Sequence, residues 1–510
     1  MRRVIKAFGY FLTPAAKRFH RALENPQQAQ LAVQQKLIKQ IKSCDYAQHY
    51  DIQSVADWNK LPIVDYDALR LWINPKEKQS RLTTSSILFH EPTSGSSGAI
   101  KQIPYTRKLL QSFNHLFCVW AHDLIMHGPS FNQGKLYFSI SPRFSKSSAS
   151  NGTTDDADYL SPWLRWLLKP FLVIAPAAST PKDFKHKLAQ TLLLADNLEI
   201  ISVWSPSFLT AQMHYIHEHR KQLHDLLHTK MKKQRANLLL SSTIDWAALW
   251  PHLKLISCWD SVMAADGAER LRSHFPNTFV QGKGLLATEC PMTVPLIAAK
   301  GDVPLLDEVY FEFLDEQGNC YALHELKVGE TYEIVVSQMG GLTRYRMCDR
   351  VKVTHYFLNT PCLSFQGRSA AITDLVGEKL NLHFVTQQLN QLNLPDVSYQ
   401  SLVAVQQPTP HYVLLLEHPS TRTKTFDPSA LATQLDTSLC EAFHYKLARQ
   451  LDQLAPARVL TASNLAEQLT QKKARSGQRW GDVKHAKLGG IYPNLDFLNT
   501  VHPPSSKTIG

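Results

Sequence analysis

The run Thr93-Ser94-Gly95-Ser96-Ser97-Gly98-Ala99-Ile100-Lys101 crowds hydroxyl side chains and two glycines beside a lysine. Glycine lets the backbone turn sharply and approach a ligand closely, hydroxyls and amide N–H groups donate, and the lysine adds a mobile positive charge. Such a loop can hold phosphate. The preceding Ser86-Ile87-Leu88-Phe89-His90 reads as a short strand, so the loop would follow a β-element. No Gly-Lys-Ser/Thr closes the run and no G-x-G-x-x-G lies within it, which sets aside the two best-known nucleotide loops. On composition alone a flexible Ser/Gly linker reads equally well.

Beyond Lys101 the chain continues Ile103-Pro104-Tyr105-Thr106, and with that ending the loop resembles the signature loop of the adenylate-forming superfamily. The branch it resembles most is the auxin-responsive Gretchen Hagen family of acyl-amido synthetases and its bacterial relatives. Four further segments follow in that family's order. Gln281 to Glu289 is similar to its adenine and magnesium motif, and Arg344-Tyr345-Arg346-Met347-Cys348-Asp349 to its Tyr-Arg-x-x-Asp ribose motif. Phe365-Gln366-Gly367-Arg368, leading to Asp374 through Leu380, is similar to the interdomain hinge. Gly477 to Lys484 looks like the C-terminal lysine motif of the bacterial branch.

The resemblance implies an ATP-dependent ligase that activates a carboxylic acid as its adenylate, releases pyrophosphate and passes the acyl group to an amine, expected to be an amino acid. Thioester formation with CoA, or a non-catalytic nucleotide-binding relative, are the alternatives. Two anions must meet when a carboxylate attacks the α-phosphate, so the site has to screen negative charge. The resemblance assigns Thr93, Ser94, Gly95, Ser96, Ser97, Gly98 and Lys101 to the phosphates, and Thr288 to the nucleotide. It assigns Glu289 to Mg²⁺, Asp349 to the ribose, Arg368 to the sugar or phosphate, and Lys484 to catalysis as the bridge between α-phosphate and carboxylate. Taken one at a time, Asp349 also reads as a strand-end salt bridge, Arg368 as a linker charge and Lys484 as a surface lysine. Two positions depart from the family: Ser369-Ala370-Ala371 replaces the charged hinge residue usual in the superfamily, and Cys348 stands where glycine is frequent.

Composition narrows the classes. With 510 residues of which 44% are hydrophobic, the chain can bury two or three cores. Its 8 cysteines are scattered without a C-x-x-C, against zinc sites and disulfide frameworks and for a reducing cytoplasm. No apolar run reaches the ~18 residues of a membrane span, and the start, Met1-Arg2-Arg3 leading into the brief Phe8 to Leu12, is not expected to be a signal peptide, which leaves a peripheral basic helix open. The net charge of +12 comes from local clusters such as Lys230, Lys232, Lys233 and Arg235, without the aromatic interleaving of a base-stacking surface. Anionic nucleotides or an acidic partner, not nucleic acids, are expected to be drawn to this charge.

The chain changes character near Gly367, and with the resemblance this implies an α/β protein with a large N-terminal domain, residues 1–366, whose sheets are flanked by helices, and a small mobile α+β C-terminal domain, residues 367–510. A helix is expected from Pro26 through Ile38, a mainly helical stretch over 186–235, strands at 309–314 and 332–336, a strand at 412–417 and a helix over 430–447. Residues 143–158, rich in Ser, Gly, Thr and Asp, read as an exposed loop. His214, His217, His219, His224 and His228 are expected on one solvated helix, with no carboxylate placed to complete a metalloprotease site. Gly340-Gly341 is expected as a hairpin bend, and Trp204 and Trp259 as core residues.

Overall fold

The computed structural model describes residues 2–73, 80–93, 101–132, 134–138, 169–176, 181–368, 372–392, 399–417, 427–461 and 487–496, with 394, 397, 465, 468 and 498. These form two compact units, one ending at Arg368 and the other running from Ile372.

The first unit opens with the helix Arg2–Glu24, whose Leu12, Ala16, Phe19 and Leu23 recur on one face and are buried. The next helix, Pro26–Ile41, starts with proline at a position where the missing N–H would have had no partner. Its Gln30 donates to the carbonyls of Leu306 and Val309 at 2.8 and 2.7 Å, and accepts from the Phe311 amide at 2.8 Å. That side chain welds the helix to the sheet beneath it.

Strands β1 (Ile87–Thr93) and β2 (Lys101–Thr106) pair antiparallel, with Thr93 opposite Lys101. Thr106 caps the long helix Arg107–His127 by accepting from the Leu109 amide at 3.2 Å. A parallel sheet follows: β3 (Lys135–Phe138), β4 (Leu172–Val173), β5 (Leu198–Ser202), β6 (Leu255–Ser257) and β7 (Phe279–Gln281), in the order β4-β3-β5-β6-β7. Leu198, Ile201, Leu255, Ile256 and Val280 are buried, as expected of a sheet covered on both faces.

A short hairpin, β8 (Leu286–Ala287) with β9 (Cys290–Pro291), leads into the largest sheet. Its strands are β10 (Thr293–Leu296), β11 (Gly301–Pro304), β12 (Tyr310–Leu314), β13 (Cys320–Ala322), β14 (Thr331–Ser337), β15 (Tyr345–Phe357) and β16 (Thr360–Arg368). They run antiparallel in the order β10-β11-β16-β15-β14-β12-β13. One continuous core joins Phe19, Leu37 and Ile41 of the first two helices to Phe311, Phe313, Ile334 and Val336 of this sheet. Gly340-Gly341 makes the expected bend between β14 and β15, closed by Gln338 N–H to the Leu342 carbonyl at 2.9 Å.

The second unit contains β17 (Ile372–Thr373), β18 (Leu380–Asn381), β19 (Tyr399–Val405), β20 (His411–Glu417), β21 (Arg458–Thr461) and β22 (Leu488–Tyr492). A four-stranded sheet runs β21-β20-β19-β22, with its central pair antiparallel and both outer strands parallel to their neighbours. Helices Leu382–Gln391, Pro428–Leu439 and Phe443–Gln450 accompany it, and Val403, Val405, Val413 and Leu415 lie in its core. Each unit mixes helix and strand, as the α/β reading requires.

Four expectations change. The single helix over 430–447 is two, because the chain turns at Cys440 and resumes at Phe443. The histidines fall on two helices, Pro206–Glu218 and Arg220–Leu227, which meet at His219; His224 and His228 stack at 5.2 Å. Strand β5 interrupts the stretch 186–235, a short apolar run whose periodicity does not separate strand from helix. Trp204 and Trp259 are half-buried rather than core residues, 5.9 Å apart at the edge of the parallel sheet. The loop expected at 143–158 lies outside the described residues.

Candidate functional site

Two polar centres in the first unit gather residues of the quoted motifs. The first is built on three turns. Lys101 is the first residue of β2, clamped at the mouth of the 94–100 segment by its pairing with Thr93. Ser94, Gly95, Ser96, Ser97 and Gly98 lie outside the described residues, as does the side chain of Thr93. Thr288 and Glu289 form the two-residue tip between β8 and β9, since Ala287 pairs with Cys290. Tyr345 opens β15 immediately after the Gly340-Gly341 bend.

The three turns meet. Lys101 Nζ donates to the Tyr345 hydroxyl at 3.1 Å and stands 3.6 Å from Glu289 Oε1, with both charged side chains largely withdrawn from solvent. The ammonium also lies 5.8 Å from the ring centres of Tyr66 and Tyr345. Burial, and then the charge of Glu289, push the Tyr345 hydroxyl well above its ordinary range, so it stays a neutral O–H. Backbone contacts hold the tip in place: Tyr105 donates to the Thr288 carbonyl at 2.6 Å, and Gln338 Nε2 to the Glu289 carbonyl at 3.0 Å. The side chains of Thr288 and Glu289 therefore keep their chemistry while their backbone is fixed.

Alongside lies the pair Asp349 and Arg368. They are directly opposed across β15 and β16, and Arg368 Nε is 2.9 Å from Asp349 Oδ1. Asp349 is not at a strand end. It sits in a bulge, because Glu333 pairs with Arg350 whereas Val335 pairs with Arg346. Inside that bulge Cys348 has φ of 60°, the left-handed conformation that glycine adopts without strain. The cysteine in the family's frequent glycine position therefore keeps the glycine's backbone shape. Its thiol is pushed up by burial first and then by neighbouring charges that include Asp349, with Lys101 acting the other way. Tyr345 in turn feels both Glu289 and Arg368, so the two charge pairs belong to one electrostatic centre.

The second centre was not legible as a motif. Phe138, Ser202, Ser257 and Gln281 are the last residues of β3, β5, β6 and β7, so the chain segments following these strands emerge along one carboxyl edge. The sheet order reverses between β3 and β5, and such a switch point opens a crevice at that edge. Lys283 reaches into it: Nζ donates to Ser202 Oγ at 2.7 Å and lies 5.5 and 5.0 Å from the ring centres of Phe138 and Trp204. A Cβ on Gly282 would stand 2.4 Å from Asp260 Oδ1, and Gly284 has φ of 63°, which is why Lys283 is flanked by glycines. Burial raises the Asp260 carboxyl, partly opposed by Arg272 at 3.6 Å. Burial, with Asp260 added, pushes half-buried Asp302 up to about 7. In the sequence Lys283 stands in the quoted Gln281–Glu289 segment and the two tryptophans in apolar stretches, with nothing to say that they meet.

Lys484 lies outside the described residues. The chain resumes at Lys487, whose carbonyl accepts from the Leu402 amide at 2.8 Å and whose ammonium donates to Asn390 in the second unit. A third cluster, His115, Asp307 and Glu308, has metal-ligating residue types, but Arg18 already supplies its cation, with Nε 2.9 Å from Asp307 and a second nitrogen on Glu308. It is a bolt between the N-terminal helix and the sheet.

The chain matches the GH3 family N-terminal domain over residues 15–280, the GH3 family central domain over 303–368 and the GH3 family C-terminal domain over 381–489. It belongs to the GH3 family. A probable indole-3-acetic acid-amido synthetase, GH3.11 of Oryza sativa subsp. japonica, is 28% identical over 236 residues, which span 39% of this chain and 38% of that protein. Indole-3-acetic acid-amido synthetase GH3.15 of Arabidopsis thaliana is 24% identical over 392 residues, 62% of this chain and 63% of that one. The similarity thus spans less than two thirds of either relative. In structure, the AtGH3.15 acyl acid amido synthetase in complex with 2,4-DB superposes with a TM-score of 0.64 at 19% identity, covering 94% of each chain. A 2-hydroxyisobutyryl-CoA ligase bound to 2-HIB-AMP and CoA follows with a TM-score of 0.52 at 15% identity, over 94% of this chain and 90% of the other. Both share this fold.

Proposed function

We propose that the protein is an ATP-dependent acid–amino acid ligase: it joins a carboxylic acid to AMP with release of pyrophosphate, then passes the acyl group to the amine of an amino acid. The observation that carries this reading is the convergence of Lys101, Glu289, Asp349 and Arg368 on one centre from four separate segments. The indole-3-acetic acid- and jasmonoyl-amido synthetases among its relatives support the amide product.

Each residue has a task that its surroundings suit. Lys101 and the 94–98 hydroxyls and amides take the nucleotide's β- and γ-phosphates, a mobile cation beside fixed donors. Asp349 accepts from the ribose hydroxyls, and Arg368, paired with its Oδ1, orients its second oxygen. Thr288 donates to the nucleotide from a tip whose carbonyl is already tied to Tyr105. A magnesium ion carried by nucleotide phosphates takes one or two carboxylates from protein. Glu289 fits that donor set and would hold it, the ion's contribution being to neutralise charge on the phosphates. The acyl part of the acid lies along Phe138, Trp204 and Trp259 at the carboxyl edge of the parallel sheet. Residues 1–366 form the nucleotide- and acid-binding domain, and 367–510 a mobile domain that brings Lys484 to the α-phosphate as charge builds there. The reaction takes place in the cytoplasm.

The test is pyrophosphate release with ATP, Mg²⁺ and a panel of carboxylic acids, followed by hydroxylamine trapping of the adenylate. AMP and hydroxamate are expected, and an amino acid should yield a mass equal to acid plus amine minus water. ADP as the nucleotide product would end the reading, and thioester formation with CoA alone would replace the amine by a thiol. Lys484→Ala should slow adenylation roughly 10²–10³-fold while a supplied acyl-adenylate still reacts.

A further inference from the structure

The N-terminal helix Arg2–Glu24 is amphipathic twice over. Its inner face, carrying Leu12, Ala16, Phe19 and Leu23, is buried and explained by the fold. Its outer face is also apolar. Val4, Ala7, Phe11 and Pro14 recur at spacings of three and four, which lines them up along one stripe, and Tyr10 borders it. Val4, Tyr10 and Phe11 are 55%, 67% and 64% exposed.

The charges around that stripe have one sign. Arg2, Arg3, Lys6, Lys17 and Arg21 are exposed, and no acidic residue precedes Glu24 in the helix. Arg18, the remaining cation, is committed to Asp307 and Glu308 and so fixes the helix rather than serving a partner. Among the described residues no helix is long and apolar enough to cross a membrane. We propose that this outer face lies on the surface of an anionic lipid bilayer.

The chemistry fits that occupant better than another protein. Tyrosine and phenylalanine settle at the level of lipid headgroups, and long lysine and arginine side chains reach from beside an apolar stripe to lipid phosphates. An aromatic stripe ringed by cations is complementary to a surface that is negative outside and apolar just beneath, whereas protein interface cores disfavour lysine. The helix is already folded and held by its inner face, so adsorption need not order it. The docking is independent of the chemistry proposed above.

The full chain is mixed with large unilamellar vesicles of phosphatidylcholine, with or without about 30% phosphatidylglycerol, and sedimented at roughly 0.1 and 0.5 M salt. Binding at least about tenfold tighter to the anionic vesicles, weakened by salt, is expected. The double variant Tyr10→Ser, Phe11→Ser should lose roughly tenfold in partitioning, and Lys6→Glu, Lys17→Glu a similar factor. Both replace exposed side chains, and circular dichroism melts matching the parent would show intact folding. Equal binding to neutral vesicles overturns the proposal, as does an unchanged affinity of the serine variant. So does a concentration-dependent dimer that the serine variant abolishes, since the stripe would then belong to a second copy. Binding to polyglutamate but not to vesicles would assign the cations to an acidic protein and overturn it too.

Discussion

Arg344 and Tyr345 are neighbours in sequence and serve opposite ends. Arg344 turns inward and grips Glu312 with two nitrogens, Nε and Nη2 at 3.1 and 2.8 Å, while its third reaches the Leu61 carbonyl at 2.7 Å. Trp58 donates to the same carboxylate at 3.2 Å. Each of its three guanidinium nitrogens is bonded, and both side chains are buried. Tyr345 turns instead to Lys101, which donates to its hydroxyl at 3.1 Å and stands 3.6 Å from Glu289. An ion pair that supports a fold is closed on itself. The approach of Lys101 to Glu289 is of another kind, a 3.6 Å contact on a tip whose backbone is fastened by Tyr105 and Gln338.

That contrast breaks in graded steps. Removing one partner of the closed pair leaves a buried charge, so Glu312→Gln or Arg344→Met should cost about 3–5 kcal/mol and lower the melting temperature by roughly 10 °C. A variant that melts like the parent would show that the pair is not a keystone. Glu289→Gln is expected to do the reverse: a melt within about 2 °C of the parent, with Mg²⁺-dependent pyrophosphate release down roughly 10²-fold. Unchanged magnesium dependence would move Glu289 out of the site. At Cys348 the left-handed backbone sharpens the point, since Cys348→Val puts a branched side chain where φ is 60° and should cost about 1–2 kcal/mol, whereas Cys348→Gly should stay folded. Equal melts for the two would mean the bulge relaxes.

The smallest effect concerns pH. Because Asp302 titrates near 7 when folded, against an ordinary carboxylate value when unfolded, the folded state holds the extra proton between those values. Stability tied to this group therefore falls as pH rises from about 4 to 7 and is flat above. Asp302→Asn cannot ionise, so the parent should gain roughly 2 °C relative to the variant on going from pH 8 to pH 5.5. A constant difference between the two across that range would show that Asp302 is not held protonated.

Much of this centre was legible in the chain. Lys101, Glu289, Asp349 and Arg368 could be picked out because their segments resemble short motifs of the family, and a motif is a linear trace. Other features left none. Lys283 meets Ser202, Phe138 and Trp204 only because parallel strands end along one edge, a juxtaposition made by topology. The strand β5 beneath it is five residues long, too short for its periodicity to separate it from the helices around it.

By itself the sequence determined the mixed α/β class, the order of the segments that resemble the family's motifs, the apolar patterns of the helices and most strands, and the basic residues near its start. These are local properties, written in residue type and spacing. Tertiary structure alone decided that Arg344 closes on Glu312 while Lys101 faces Glu289, that Thr288 and Glu289 ride on a two-residue tip, that Asp349 sits in a bulge against Arg368, and that two tryptophans line a sheet edge instead of a core. Those depend on strand register and on which segments share an edge. Neither can be read from neighbours along the chain, because contacts across a sheet join residues that are far apart in it.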